Sequence, residues 1–351
     1  MQSDRTDWVK FILDRFIWFI VLGVFILFAI NAPNFLTPLN MINIALHASV
    51  LGLMAIGQAI CLISGNFDLS AEGTVSLLTV LAAWLMGTSS GDSVVRNFAA
   101  GSGWGVNPIL VLVLILALGV GIGALNGVMI TRLKMNNFIV TLAMQLVLRG
   151  LALTLSGGKN ISDIPEVFRW LGTGKIGPIP VQIIVTGLLF VVVHYFLKNS
   201  RFGRQLYATG GNKEAAFASG FNPKKIITMA YILSGLFAAL ASWMLLGRVG
   251  EATIFLGSGM TLETVAAAVI GGIALSGGYG TIGGVLGGVL LLAVVDNGLN
   301  LMTMDPNAVR GVRGLIILIA LIIEAQKFRY KSKAMKQAVE KPAGETTEEC
   351  V

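Results

Sequence analysis

The 351-residue chain is 55% apolar and 12% charged, with a net charge of +7 and a mean hydropathy of +0.81. A soluble domain carries about a quarter charged residues, so a water-soluble globule is excluded and an all-α polytopic membrane protein is expected. The basic residues sit in the links between apolar runs and form no single patch, which argues against nucleic acid as a partner.

A bilayer core of about 30 Å takes roughly 20 apolar residues per helix. In chain order, apolar runs fall near 16–30, 41–63, 70–87, 108–130, 137–156, 181–198, 226–247, 261–275, 283–303 and 308–324. These give about ten transmembrane helices. The 70–87 and 261–275 runs adjoin Gly-rich breaks and are the least regular. The first run follows the mixed charges Asp4, Arg5, Asp7, Lys10, Asp14 and Arg15, and no small-residue cleavage site succeeds it. It reads as a membrane helix and not as a cleavable signal. Residues 1–15 are expected to be a cytoplasmic segment, 16–325 the membrane domain, and 326–351 a cytoplasmic tail with too little apolar content to fold. The basic start of that tail suits anionic lipid headgroups.

Orientation follows from Lys and Arg in the short links. The 199–225 link carries Arg201, Arg204, Lys213, Lys224 and Lys225, and the 131–135 link carries Arg132 and Lys134. The tail carries Lys327, Arg329, Lys331, Lys333, Lys336 and Lys341. The alternate links are poorer, with none in 31–40, Arg96 in 88–107 and Arg248 in 248–260, while the 157–180 link has three basic residues against two acids. Ten crossings with both termini cytoplasmic satisfy this bias.

Ionisable and amide side chains at membrane depth are costly and mark candidate sites. Asp68 and Glu72 follow Ser64-Gly65-Asn66-Phe67 and flank Ser70. This stretch reads either as a discontinuous helix near a transport pathway or as an ordinary loop with Asp68 or Ser70 as N-cap. Glu263 begins the eighth run, and Asp296 lies in the ninth beside Asn297 and Asn300. Asn297 and Asn300 share a helical face; they line a hydrated path or bond helix to helix, and the second is favoured. Asn126, Gln145 and Arg149 are of the same kind, with Arg149 placed to snorkel. His47 and His194 read as packing residues. The translocation candidates are Asp68, Ser70, Asn126, Asn297 and Asn300. The two cysteines, Cys61 and Cys350, are remote from each other and offer no disulfide or metal framework. No cofactor, metal site or catalytic pairing is expected.

Two Gly-rich stretches stand out. Gly280, Gly284 and Gly288 are spaced by four and suit close helix packing. No G-x-x-x-x-G-K-[ST] occurs in the chain, so no P-loop is present. The second stretch runs Arg201-Phe202-Gly203-Arg204, Ala208-Thr209-Gly210-Gly211-Asn212 and Lys213 to Gly220. Asn212 is a good N-cap, Lys213 to Ser219 make two helical turns, and Gly220 stops them. A short helix with small side chains on the cytoplasmic face suits docking into a partner's groove.

Together these motifs resemble the permease subunits of bacterial ATP-binding-cassette importers for sugars, of the ribose, arabinose and galactose type. The likeness runs from about 35 to 325. It rests on Gly65-Asn66-Phe67-Asp68-Leu69-Ser70, Leu125-Asn126-Gly127, Phe138-Ile139-Val140-Thr141-Leu142, Leu148-Arg149-Gly150, the 202–216 link, Val269-Ile270-Gly271-Gly272 with Gly277-Gly278, and Asn297-Gly298-Leu299-Asn300. Ala71-Glu72 and Asn136-Asn137 depart from the usual Val-Gly and Pro or Ala, and bear on what the pathway contacts.

The resemblance implies a chain that is not itself an enzyme, in a bacterial cytoplasmic (inner) membrane. It implies a dimer with a second copy or a related permease, a solute-binding protein outside, a cytoplasmic ATPase subunit, and a monosaccharide or similar small polar solute. The ATPase-coupling candidates are Gly203, Gly210, Gly211, Asn212, Glu214, Ala215, Ala216 and Gly220. A secondary transporter, with Asp68, Glu72 and Asp296 coupling an ion, is the alternative reading.

Overall fold

The computed structural model describes residues 16–87, 104–162, 164–305, 307–316, 318, 319 and 322. The expectations for 1–15 and 326–351 lie outside these residues. The described chain is helical almost throughout. In order it forms α1 (Phe16–Asn31), α2 (Pro38–Ile63), α3 (Ala71–Met86), α4 (Pro108–Thr131), α5 (Asn137–Ser156) and α6 (Glu166–Thr173). A two-residue hairpin, β1 (Lys175–Ile176) and β2 (Ile179–Pro180), leads to α7 (Val181–Asn199), α8 (Arg201–Gly211), α9 (Lys213–Ala218) and α10 (Pro223–Val249). Then come α11 (Met260–Ile270), α12 (Ile282–Leu301) and a last helical stretch over 307–316. Six helices, α2, α4, α5, α7, α10 and α12, are long and apolar enough to cross a membrane, and α1, α3 and α11 are shorter apolar helices.

The helix starts are written in the sequence. Proline opens α2, α4 and α10, where its missing N–H costs nothing. Asn107, Asn136, Asn212 and Asn222 each accept backbone N–H groups of the turn that follows. Asn136, one of the two departures from the family pattern, is therefore the cap of α5.

The core is built on α2 and α10. The most apolar part of α2 is 89% buried, against 22% for α4 and for α5. Packing leans on small residues because lipid supplies no hydrophobic drive between helices. α4 and α10 run in opposite directions, with Gly119, Gly123 and Gly127 facing Gly235, Tyr231 and Thr228. A Cβ on Gly127 would stand 2.8 Å from Thr228 Cα, so the backbones nearly touch. Gly271 and Gly284 close the α11–α12 contact in the same way, and Gly288 rests on Ala267. Gly280 does not share that face. It lies in the turn before α12 with φ +124°, against Ile273.

Three links differ from a plain loop. Residues 157–180 form α6 and the hairpin, with α6 held to α10 by Trp243 Nε1 donating to the Phe168 carbonyl at 3.0 Å. The 199–225 link contains the eleven-residue α8 before the expected short helix α9. Ser200 starts α8 by accepting from Gly203 N at 3.0 Å. The 261–275 run stops early: α11 ends at Ile270, and Gly272, Gly277, Gly278 and Gly280 all adopt positive φ.

Candidate functional site

Three polar sites interrupt the apolar body. The first is the break between α2 and α3. Gly65, at φ +74°, turns the chain out of α2. Asn66 Nδ2 donates to the carbonyl and the hydroxyl of Ser64, at 2.9 Å each. Asp68, 2% exposed, accepts from Ser70 N at 3.0 Å, Ser70 Oγ at 2.6 Å and Ser234 Oγ of α10 at 2.7 Å. Ser70 Oγ in turn accepts from Asn126 Nδ2 of α4 at 2.8 Å. Tyr231 Oη donates to the Phe67 carbonyl at 2.7 Å. No cation pairs with Asp68 among the described residues; hydroxyl and amide donors satisfy it. Asp68, Ser70 and Asn126 thus come together, as one hydrogen-bonded knot joining α3, α4 and α10. The expected side-chain cap on α3 is not formed, because Asp68 turns back onto Ser70 instead.

Glu72 joins this break to a second one. Its carboxylate accepts from Gly259 N at 3.0 Å and lies 3.5 Å from Arg149 Nη1. Its backbone N donates to Thr261 Oγ1 at 3.2 Å. The starts of the short helices α3 and α11 therefore meet. Arg149 does not simply snorkel; it pairs with Glu72, and its guanidinium stands 5.6 Å from the Phe255 ring. Asn137, which belongs with Asn136 to the same departure from the family pattern, donates to Asn66 Oδ1 at 3.3 Å.

The second site is a meeting of glycines. Gly278 N donates to the Ile63 carbonyl at 2.8 Å. A Cβ on Gly277 would stand 2.7 Å from Gly65 Cα, and one on Gly278 2.6 Å from Gly211 Cα. Gly210 leaves no room for a Cβ against the Ile63 carbonyl. Tyr207 Oη donates to the Gly280 carbonyl at 2.8 Å, and burial pushes its hydroxyl up from the usual range, so it stays a donor. The end of α2, the end of α8 and the 271–280 turn are thereby in direct backbone contact. Of the coupling candidates, Gly210 and Gly211 lie here. Gly203 packs against the last turn of α7. Asn212 caps α9 through Glu214 N and Ala215 N, both 2.9 Å away. Gly220 ends α9 at φ +82°. Glu214 and Ala215 are exposed, but Ala216 is buried. The residue α9 presents most strongly is Phe217, 72% exposed. Sequence reading passed over it; an aromatic residue amid alanines was the available signal.

The third site is a charged cluster. Arg313 donates to Asp296 Oδ1 at 2.8 Å and to Glu263 Oε1. His47 Nε2 stands 3.3 Å from Asp296 Oδ2, so His47 is more than a packing residue. Ligand atoms of His47, Glu263 and Asp296 fall within 4.8 Å of one another. Two of these three groups, Glu263 and Asp296, are already bonded to the Arg313 guanidinium. Asn297 exchanges two hydrogen bonds with Asn40 of α2, at 2.8 and 2.9 Å. This is the helix-to-helix role favoured for it. Asn300 is exposed and lines a cavity of about 190 Å³ together with Asn43, His47, Arg248, Asp296, Asn297 and Arg313.

Over residues 40–321 the chain matches the family described as branched-chain amino acid transport system / permease component. It is 38% identical to the ribose import permease of Bacillus subtilis, over 87% of this chain and 92% of the relative. It is 33% identical to the ribose import permease of Escherichia coli K12, over 84% and 88% of the two chains. The L-arabinose transport system permease of that organism is 36% identical, over 93% of each. No solved structure matches the chain.

Proposed function

The chain belongs to the permease family that contains these ribose and arabinose importers, and on that premise we propose that it is the membrane-spanning subunit of an ATP-driven importer of a monosaccharide or similar small polar solute. A binding protein outside the membrane delivers the solute, and a separate cytoplasmic subunit hydrolyses ATP. The membrane is the bacterial cytoplasmic one, and two permeases, identical or related, enclose one pathway. The weakly buried α4 and α5 provide faces for lipid and for that second permease.

One observation carries the coupling role. The α8–α9 link ends in backbone contact with the α2–α3 break and with the 271–280 turn. A push on α9 is therefore delivered to Gly210 and Gly211, and from them to Gly65 and Gly277, with no flexible side chain between. The Asp68 knot lies five residues or fewer beyond Gly65 in sequence, at the start of α3. The same geometry divides the labour within α9: Ala216 faces the permease, and Phe217 faces the partner.

An exposed aromatic is the kind of side chain that anchors a partner's pocket. Phe217→Ala is expected to weaken capture of the ATPase subunit about ten-fold, as loss of roughly 1.4 kcal/mol would. Co-purification from native membranes, quantified against the intact chain, measures it. Undiminished capture removes Phe217 from the interface. Solute uptake that persists without any ATPase favours the ion-coupled alternative.

A further inference from the structure

Among the described residues, Arg248 differs from Arg313 and Arg149 in lacking a side-chain partner, as does Arg169 of α6, whose Nε is buried without one. Arg313 and Arg149 each have carboxylate partners, but Arg248, half-buried in the last turn of α10, has no hydrogen-bond or ion-pair partner among the described residues. It faces the 190 Å³ cavity between α2, α10, α12 and the 307–316 helix. An unpaired cation in a half-enclosed site is costly unless a ligand or water completes it.

We infer that this cavity is a solute subsite of the permease, taking one uncharged polyhydroxylated ring, with Arg248 as a specificity-determining residue. The inference rests on the importer reading and deepens it. The wall mixes donors and acceptors. Arg248 only donates, the Asp296 carboxylate only accepts, and the exposed amides of Asn43 and Asn300 do both. A hydroxyl also does both, so vicinal hydroxyls match this wall. Arg313 and His47 also line the wall, but both are engaged by Asp296, which leaves Arg248 as a donor and the amides of Asn43 and Asn300 as the groups that both donate and accept. The volume falls below the roughly 300 Å³ at which drug-sized pockets begin, which suits a single ring.

Position agrees with chemistry. Asn43 and His47 lie in the first half of α2, Arg248 in the last turn of α10, and Asn297 and Asn300 in the last turns of α12. In the orientation set by the basic links these are the extracytoplasmic ends, where the solute arrives. Arg313 and His47 hold Asp296 in place from the cavity side, so the acceptor is fixed before the solute comes.

The test uses the whole importer, with its ATPase and binding protein, in proteoliposomes. Uptake of D-ribose, L-arabinose and 2-deoxy-D-ribose is followed at limiting concentration for the native chain, Arg248→Ala and Asn300→Ala. Assembled complex is quantified for each, so that misfolding is separated from lost recognition. The native importer should prefer a full sugar over its deoxy analogue, because a site built to bond a hydroxyl rejects a ligand lacking it. Arg248→Ala should lose about ten-fold in uptake of the preferred sugar and flatten that preference, and Asn300→Ala should change it in the same direction. Equal loss for all three solutes, or no loss in assembled complex, overturns the subsite while leaving the importer reading intact. No ATP-driven uptake of any of these sugars by the native complex overturns both. Uptake of D-ribonate that depends on Arg248 would assign the cavity an anion and overturn the neutral class.

Discussion

One guanidinium binds two carboxylates from different helices, and its loss cannot be local. The Glu263 and Asp296 side chains are 8% and 5% exposed, and Arg313 stands between them. Breaking a buried pair by deleting one partner typically costs about 3–5 kcal/mol, because the remaining charge has no solvent to turn to. Arg313→Ala should lower the unfolding free energy of the detergent-solubilised permease by about that much, read as a lower denaturation midpoint. Arg313→Met combined with Glu263→Gln and Asp296→Asn should recover most of the loss; a single variant with an unchanged midpoint would mean the network is not structural. The two acids were legible in the sequence, because a carboxylate inside an apolar run is conspicuous. Their partner was not. Arg313 lies 17 residues from Asp296 and 50 from Glu263, and no periodicity links separate helices. His47 was misjudged for the same reason, as its partner Asp296 lies 249 residues away.

At the scale of elements, the glycines explain more than the helices do. Helix starts could be read from Pro and Asn, and the stop at Gly220 from its place after a short helical pattern. The contact among Gly65, Gly210–Gly211 and Gly277–Gly278 could not, since each stretch alone is compatible with an ordinary turn. Only the fold brings three Cβ-free backbones together. The same limit hid α8, where the many polar residues between Arg201 and Gly211 give no membrane signal although Ser200 caps them. The contact yields a sharp expectation. Gly210→Ala places a methyl against the Ile63 carbonyl, which pushes α8 off the end of α2 while leaving α9 and Phe217 in place. The ATPase should still be captured, but ATP-driven uptake should fall about ten-fold, the effect of roughly 1.4 kcal/mol on the barrier. Gly211→Ala, with open space around it, should transport normally. Equal behaviour of the two variants in reconstituted vesicles would refute transmission through this contact.

Across the whole molecule, two short helices have to be completed before the crossings add up. α3 and α11 begin at one level, since Glu72 N meets Thr261 Oγ1 and Gly259 N meets the Glu72 carboxylate. Each is preceded by a non-helical stretch, 64–70 and 250–259, and we propose that these stretches extend α3 and α11 to the length of a bilayer. Irregular backbone at such depth is tolerated only when buried in protein or lining a cavity, and the Asp68 knot and the Glu72–Gly259 bond satisfy it here. α1 runs alongside α12 in the same direction, with Ile17 on Gly287 and Phe28 on Gly298, so both start on one side. On the reading that α3, α11 and the apolar run near 308–324 each cross, the number is even and 157–180 lies opposite to 199–225, as the basic residues of 131–135, 199–225 and the tail favour. The chain carries its own reporter. Cys350 lies in the basic-to-acidic tail and Cys61 is fully buried in α2. A membrane-impermeant maleimide should therefore label the native chain at Cys350 in inverted vesicles and leave it unlabelled in intact cells. Lys175→Cys in a Cys350→Ser background, on the exposed β1, should give the opposite pattern. Labelling of both positions from the same face would mean an even number of crossings between them, and α11, the short helix that lies between them, would then be re-entrant and not a span.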